Sequence, residues 1–170
     1  MLMYVWLAMS FAISITQLLV TTQPEWIVNR DQIQGLFAVC TAWGCELRDM
    51  TALVPLCLHS VGSVLFLLSA VALVPAIFCS ATAAPLQTIA HLQITAAILM
   101  GLCSFVVPMN MQDVGCTVTQ LLRSSVCRVG WAYAASSVCS LVSICCPVLG
   151  KLASDDRRRY ALLQHPEHYL

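Results

Sequence analysis

Ten cysteines are the residues of this 170-residue chain with the widest choice of chemistry, because thiols can exchange electrons, bind metals or form disulfides. A thiol–disulfide catalyst needs a C-x-x-C pair whose first thiol has a lowered pKa. The spacing Cys40-x4-Cys45 does not fit, and the vicinal pair Cys145-Cys146 lies at the end of an apolar segment. The cysteines therefore do not predict redox catalysis.

Zinc binding is the second possibility for the cysteines. Structural zinc sites use clusters such as C-x2-4-C, mainly in reducing compartments. Cys40, Cys45, Cys116 and Cys127 instead lie in two polar loops, where an even number of thiols favours disulfides. We therefore expect no bound metal and no cofactor. Four cysteines allow three pairings, which the sequence leaves open, although bridges within each loop need the least rearrangement.

Polar side chains inside the apolar segments form a second group with functional potential. They are Gln17, His59, Gln87, His91 and Gln93. Polar residues at membrane depth can mark an ion or proton path. No Asp, Glu, Lys or Arg accompanies them, so we expect interhelical hydrogen bonds or positions near the membrane surface rather than transport. With no catalytic constellation in view, we expect a protein that is not an enzyme and has no small-molecule substrate.

The composition indicates the setting in which these residues act. Hydrophobic residues make up 59% of the chain and charged residues 9%, whereas soluble domains have roughly 25% charged residues. The mean hydropathy is +0.83, which is typical of a membrane protein. The formal net charge is zero and the one basic run is Arg157–Arg159, so nucleic-acid binding is not expected.

Four segments are long enough to span a bilayer, which takes about 20 mostly apolar residues. They are about residues 1–20, 51–78, 86–108 and 129–150. Loops 21–50 and 109–128 and a turn before Pro85 separate them, and residues 151–170 form a polar tail. The first segment lacks a basic start and a cleavage site, so we expect a retained helix rather than a signal peptide. The sequence thus predicts an all-α membrane domain over residues 1–150.

An even number of crossings places both termini on one side of the membrane and both loops on the other. Disulfides persist in oxidising compartments, so the cysteine-bearing loops are predicted to be extracellular and the termini cytosolic. We therefore expect a multi-pass protein that reaches the plasma membrane through the endoplasmic reticulum. In this orientation Cys79, Cys145 and Cys146 lie near the cytosolic surface, either as S-acylation sites or as ordinary small helix residues.

The loop motifs resemble those of a known family. The first loop reads W-x8-GLF-x2-C-x4-C, formed by Trp26, Gly35, Leu36, Phe37, Cys40 and Cys45. The second reads C-x10-C from Cys116 to Cys127, followed by Trp131, Ala132 and Tyr133. Together with "QPEWI" and "LQITAAILMGLCSFVVP", these motifs resemble the LHFPL (lipoma HMGIC fusion partner-like) tetraspan proteins, within the claudin and peripheral myelin protein superfamily. Because its first loop is short, the chain resembles a reduced, divergent member of this family.

The resemblance implies a left-handed four-helix bundle with a small extracellular β cap built from both loops. We predict that disulfides Cys40–Cys45 and Cys116–Cys127 staple this cap. Trp26 suits the interfacial aromatic belt, with its ring among headgroups and its N–H in water. In a simpler interpretation Trp26 is only such an anchor and Phe37 dips into the membrane.

Two pairs of small residues are candidates for close helix contacts. Ala97-x3-Gly101 and Gly130-x3-Ala134 have the small-x3-small spacing that lets helix backbones approach each other. Either pair could pack inside the bundle or, if it faces lipid, dock another membrane protein. The sequence does not indicate which face points outward.

The functional prediction follows from the resemblance. Proteins of the LHFPL type assemble with, stabilise or traffic channels and receptors, so the partners expected here are the bilayer and another integral membrane protein. The alternative is a claudin-like junction or barrier protein. Paracellular selectivity usually needs a long charged first loop, whereas this loop is short and carries charges of both signs.

Overall fold

The computed structural model describes residues 2–30, 32–47, 53–78, 84–109, 116, 121 and 127–164. It contains four long apolar helices, which confirms the number predicted from the sequence. They are α1 (Leu2–Thr22), α2 (Leu53–Phe78), α3 (Ala84–Met109) and a fourth helix made of α4 (Trp131–Ser143) and α5 (Cys145–Gln164). Each is long and apolar enough to cross a membrane, the fourth over Trp131–Asp156. The chain therefore has the helices of a multi-pass membrane protein.

The fourth helix differs from its predicted bounds at both ends. It is interrupted at Ile144, whose N–H donates to the Leu141 carbonyl at 3.2 Å, because Pro147 has no N–H for the preceding turn. It continues to Gln164, whereas hydropathy placed its end at residue 150. Hydropathy falls at Lys151 although the backbone remains helical, so residue 150 marks the end of the apolar stretch and not the end of the helix.

A small antiparallel sheet accompanies the helices. Its strands are β1 (Ile27–Asn29), β2 (Gln32–Gln34), β3 (Ala38–Thr41), β4 (Gly44–Leu47) and β5 (Cys127–Val129), in the order β4-β3-β2-β1-β5. Four strands come from the first loop and one from the second. Residue 129, where a helix was predicted to begin, therefore lies in β5, and the helix begins at Trp131.

The backbone connects one end of the sheet directly to the helices. The N–H of Gly130 donates to the Trp26 carbonyl at 2.9 Å, and that of Ala132 donates to the Glu25 carbonyl at 3.3 Å. The β1–β5 pairing thus continues to the start of α4. β1 runs away from this end, and β2 pairs antiparallel with β1, β3 with β2 and β4 with β3. The β1–β2 and β3–β4 turns therefore lie at the opposite end of the sheet.

Two apolar clusters hold the molecule together. The first lies among the helices and includes Trp6, Phe66, Leu73 and Met100. At its α2–α3 contact, a Cβ on Gly62 would lie 2.8 Å from Met100 Cγ, so glycine is needed for this close approach. The second cluster joins the sheet to the helices. It contains Val20, Trp26, Ile27, Leu36, Cys103, Val107, Cys116, Cys127 and Ala132.

Candidate functional site

Both loops contain a disulfide. Cys40 and Cys45 occupy opposite positions of the β3–β4 hairpin and are bonded, with an S–S distance of 2.02 Å. Cys116 is bonded to Cys127, and both residues are buried in the cluster between sheet and helices. The first bridge thus staples an exposed hairpin, whereas the second ties the second loop to the sheet. Two of the three cysteines considered as S-acylation sites are in the described part of the chain: Cys145 is exposed and Cys146 is buried. The third, Cys79, lies outside the described residues.

Trp26 is the centre of the junction between sheet and helices. It is 1% exposed, and its indole N–H donates to the Val20 carbonyl at 2.9 Å. Its ring stands edge-on to His59, with centroids 5.2 Å apart, and to Tyr133, at 6.3 Å. The expectation of an interfacial anchor with its N–H in water is therefore wrong. The reason is that the chain turns back after α1, and Leu36 and Ala132 join Trp26 in one buried cluster.

Tyr133 extends this junction to α3. Its hydroxyl donates to the Ser104 carbonyl at 2.7 Å, which links the first turn of α4 to the last part of α3. The other residues of the loop motifs divide between buried and exposed positions. Leu36 and Ala132 are buried, and Gly35 lies so close to Pro24 that a Cβ added to the glycine would be 3.0 Å from the Pro24 Cα. Phe37 and Trp131 are 43% and 51% exposed.

Gln17 connects three helices. Its side-chain N–H donates to the Ser136 carbonyl at 3.2 Å, and its carbonyl oxygen Oε1 accepts from the Ser136 hydroxyl at 3.2 Å. Its backbone carbonyl lies 3.5 Å from His59 Nε2 on α2. His59 is fully buried, and its Nδ1 has no hydrogen-bond partner among the described residues.

Gln93 forms a second polar link deeper among the helices. It accepts a hydrogen bond from the Trp6 indole at 2.8 Å and donates one to the Ser10 hydroxyl at 3.0 Å. Gln17 and Gln93 thus serve helix packing, as the sequence led us to expect. His91 and Gln87 are less buried: His91 is exposed and Gln87 is partly exposed.

An open apolar groove of about 790 Å³ runs between α3 and the fourth helix. Its α3 side includes Ala97, Gly101 and Phe105, and its other side includes Tyr133, Ser137 and Leu141. A Cβ built on Gly101 would meet no atom within 4 Å, so the glycine opens onto free space. The hydroxyl of Ser137 is buried in the wall and has no hydrogen bond of standard geometry with any described residue. This groove is a concave apolar site bordered by two of the long helices.

The second small-residue pair has a different environment. A Cβ on Gly130 would overlap the Glu25 carbonyl oxygen, so this glycine allows the first loop to pass close to the start of α4. Ala134 is exposed and is not among the residues that line the groove. The two pairs have the same spacing, yet Ala97 and Gly101 border open space whereas Gly130 lies against the backbone of Glu25 and Trp26, just before β1.

No protein-family model matches the chain, and none of the curated proteins compared with it gives a significant match.

Proposed function

We propose that this chain is a non-enzymatic tetraspan protein of the LHFPL type that binds another integral membrane protein. Through this contact it assists the assembly, stability or trafficking of a channel or receptor complex. The four helices form a left-handed bundle in the plasma membrane, with the sheet as an extracellular cap and both termini in the cytosol. The observation that carries the proposal is the groove between α3 and the fourth helix.

The direction of the groove suits a transmembrane helix of the partner. Both walls are spanning helices, so the groove runs in the direction that a neighbouring helix would take. Helix contacts in membranes depend on small residues that let the backbones approach, and Ala97 and Gly101 supply such residues at one wall. The free space at Gly101 leaves room for a side chain of the partner.

The walls of the groove are almost entirely apolar. The Ser137 oxygen is shielded by its neighbours and has no hydrogen bond of standard geometry with a described residue, although the Tyr133 hydroxyl is close to it. A bound helix would therefore meet apolar groups along this wall, and the contact would depend mainly on packing.

The buried polar side chains support a binding role more than transport. Gln17 and Gln93 are engaged in hydrogen bonds between helices, and each bond joins different helices of the bundle. A bundle whose helices are joined in this way, with a groove on its surface, is suited to holding a neighbour in one orientation.

The test compares two leucine substitutions by co-purification from native membranes followed by quantitative mass spectrometry. Gly101→Leu fills the groove, whereas Ala72→Leu adds a similar volume to an exposed position on α2. Overpacking costs about 1–3 kcal/mol, so Gly101→Leu is expected to reduce recovery of the partner about tenfold, with no loss for Ala72→Leu. Both variants must reach the cell surface and elute as a single species.

Two results would contradict the proposal. One is equal recovery of integral membrane proteins with wild type and Gly101→Leu. The other is continuous strands in freeze-fracture images of cells that express only this chain, because polymeric strands would indicate the claudin-like junction protein instead.

A further inference from the structure

Pro108 leaves one backbone carbonyl of α3 without its helical donor. In an α-helix each carbonyl accepts a hydrogen bond from the N–H four residues later. For Ser104 that residue is Pro108, which lies inside α3 and has no N–H. Lipid tails offer no donor in its place, so a carbonyl of a spanning helix has to find one within the protein. The last turns of α3 therefore need a hydrogen-bond donor from another element.

Tyr133 supplies this donor. Its hydroxyl donates to the Ser104 carbonyl at 2.7 Å, the usual length of a well-formed O–H···O bond. Tyr133 lies in the first turn of α4, so the bond connects the two helices that form the walls of the groove. Tyr133, Ser104 and Pro108 all line that groove. The hydrogen bond thus joins the two walls at the end of the groove that is nearest the sheet.

The sheet determines where Tyr133 lies. The Tyr133 ring stands edge-on to the buried Trp26, with centroids 6.3 Å apart. The backbone N–H of Gly130 donates to the Trp26 carbonyl at 2.9 Å, which fixes the start of α4. Trp26 and the Cys116–Cys127 bridge belong to one buried cluster, and Tyr133 packs against it. A displacement of this cluster would therefore move Tyr133 as well.

We propose that Tyr133 positions the two walls of the groove and couples their separation to the sheet. Trp26 and the Cys116–Cys127 bridge hold the Tyr133 ring, and the Tyr133 hydroxyl holds α3. The groove keeps its shape only while both contacts are made. The use of this shape by a partner rests on the proposed function, whereas the coupling itself is a property of this chain alone.

The Cys40–Cys45 bridge has no such connection to the groove. It lies in the β3–β4 hairpin, where all residues from Thr41 to Leu47 are exposed. Neither of its cysteines belongs to the buried cluster between sheet and helices. The two bridges are therefore a matched pair, in which one leads to Tyr133 and the other does not.

The first experiment measures the separation of the walls in the purified full-length chain by double electron–electron resonance. Spin labels are attached to noncanonical amino acids that replace Thr95 and Ala134, which are exposed on α3 and α4 and do not line the groove. Tyr133→Phe keeps the ring and removes the hydroxyl. We expect it to shift the label distance by about 1–2 Å, the size of helix displacements at interfaces. An unchanged distance would overturn the inference.

The same distance tests the role of the sheet. Replacement of both Cys116 and Cys127 by serine should shift the distance as Tyr133→Phe does. The two changes together should shift it no further, because they act through the same contact. Replacement of both Cys40 and Cys45 by serine is the control and should leave the distance unchanged. A distance that responds equally to both bridge variants, or to neither, would overturn the inference.

The second experiment asks whether the hydroxyl serves the carbonyl that Pro108 leaves free. Tyr133→Phe is expected to lower the melting temperature in detergent by about 4 °C, because the Ser104 carbonyl loses its donor. Pro108→Ala restores a helical N–H for this carbonyl. In that background Tyr133→Phe should lower the melting temperature by less than about 2 °C. An equal loss in both backgrounds would overturn the inference, because the hydroxyl would then serve another acceptor.

Recovery of a partner from native membranes separates this inference from the proposed function. If Gly101→Leu loses no membrane protein while Tyr133→Phe shifts the label distance, the proposed function fails and the coupling stands. If Gly101→Leu loses a protein while Tyr133→Phe changes neither its recovery nor the label distance, the coupling fails and the proposed function stands.

Discussion

The indole N–H of Trp6 on α1 donates a hydrogen bond to Gln93 Oε1 on α3, at 2.8 Å and with both side chains fully buried. Gln93 in turn donates to Ser10, one turn further along α1. One glutamine therefore joins two helices that are distant in the sequence, at a depth where water cannot replace the bond.

Replacing this glutamine by leucine is expected to destabilise the protein. Gln93→Leu leaves the Trp6 N–H buried without an acceptor, which costs about 1–3 kcal/mol. Gln87→Leu, on the same helix but partly exposed, is the control and should change the free energy of unfolding by less than about 0.5 kcal/mol. Thermal unfolding in detergent measures both. Equal melting temperatures for the two variants would show that the Trp6–Gln93 bond contributes nothing.

Alanine substitutions of Gly101, within α3, and of Gly130, just before α4, are expected to have opposite effects. Gly130→Ala places a Cβ against the Glu25 carbonyl, so the first loop or α4 must shift, at a cost of about 1–3 kcal/mol. Gly101→Ala meets no atom within 4 Å and should stabilise α3 by up to about 1 kcal/mol. Unfolding in detergent would again be measured. A stable Gly130→Ala variant would contradict the close contact between the first loop and α4.

The two disulfides are expected to differ in their contribution. Loss of Cys116–Cys127 by Cys127→Ser should cost about 2–5 kcal/mol, because this bridge is buried and its loop is longer. Cys45→Ser opens the Cys40–Cys45 bridge, whose sequence separation is 5, compared with 11 for Cys116–Cys127. Because the shorter loop restricts the unfolded chain less, loss of this bridge should cost about 0.6 kcal/mol less from loop entropy alone.

Cys57→Ser, which replaces a free exposed cysteine, is the control for these variants. Non-reducing peptide mapping and thermal unfolding together give the pairings and the costs. Free thiols at all four positions in protein from the cell surface would remove the support for a stapled cap.

The orientation of the chain is tested with engineered N-glycosylation sites. Thr41→Asn with Trp43→Thr creates the sequon Asn-Ala-Thr in the exposed β3–β4 turn, and we expect it to be glycosylated. Asp155→Asn with Arg157→Thr creates Asn-Asp-Thr past the apolar part of the fourth helix, and it should stay unmodified. A shift on gels that endoglycosidase removes is the measurement. Glycosylation of the second site would show that the C-terminal segment is not cytosolic and would contradict the proposed topology.

Several features could be predicted from the sequence because a single property determines each of them. Four apolar stretches of spanning length predicted four long helices, since so much apolar surface has to leave water whatever the tertiary contacts are. For the glutamines in these stretches the sequence predicted either bonds between helices or positions near the membrane surface, because an unpaired amide is costly in an apolar setting. Gln17 and Gln93 bond between helices. Helix ends were less predictable. Hydropathy detected the end of the apolar stretch before Lys151, although the helix itself continues to Gln164.

Only the tertiary structure decided which partners these residues have. Ala97-x3-Gly101 and Gly130-x3-Ala134 share one spacing, yet Gly101 opens into a groove and Gly130 lies under the Glu25 carbonyl. Trp26 and Trp43 are both loop tryptophans, yet one is buried against His59 and the other stands in solvent. Composition and spacing determine whether a residue can be buried. Which face it lies on depends on contacts between segments far apart in the chain, and these form only when helices and strands pack together.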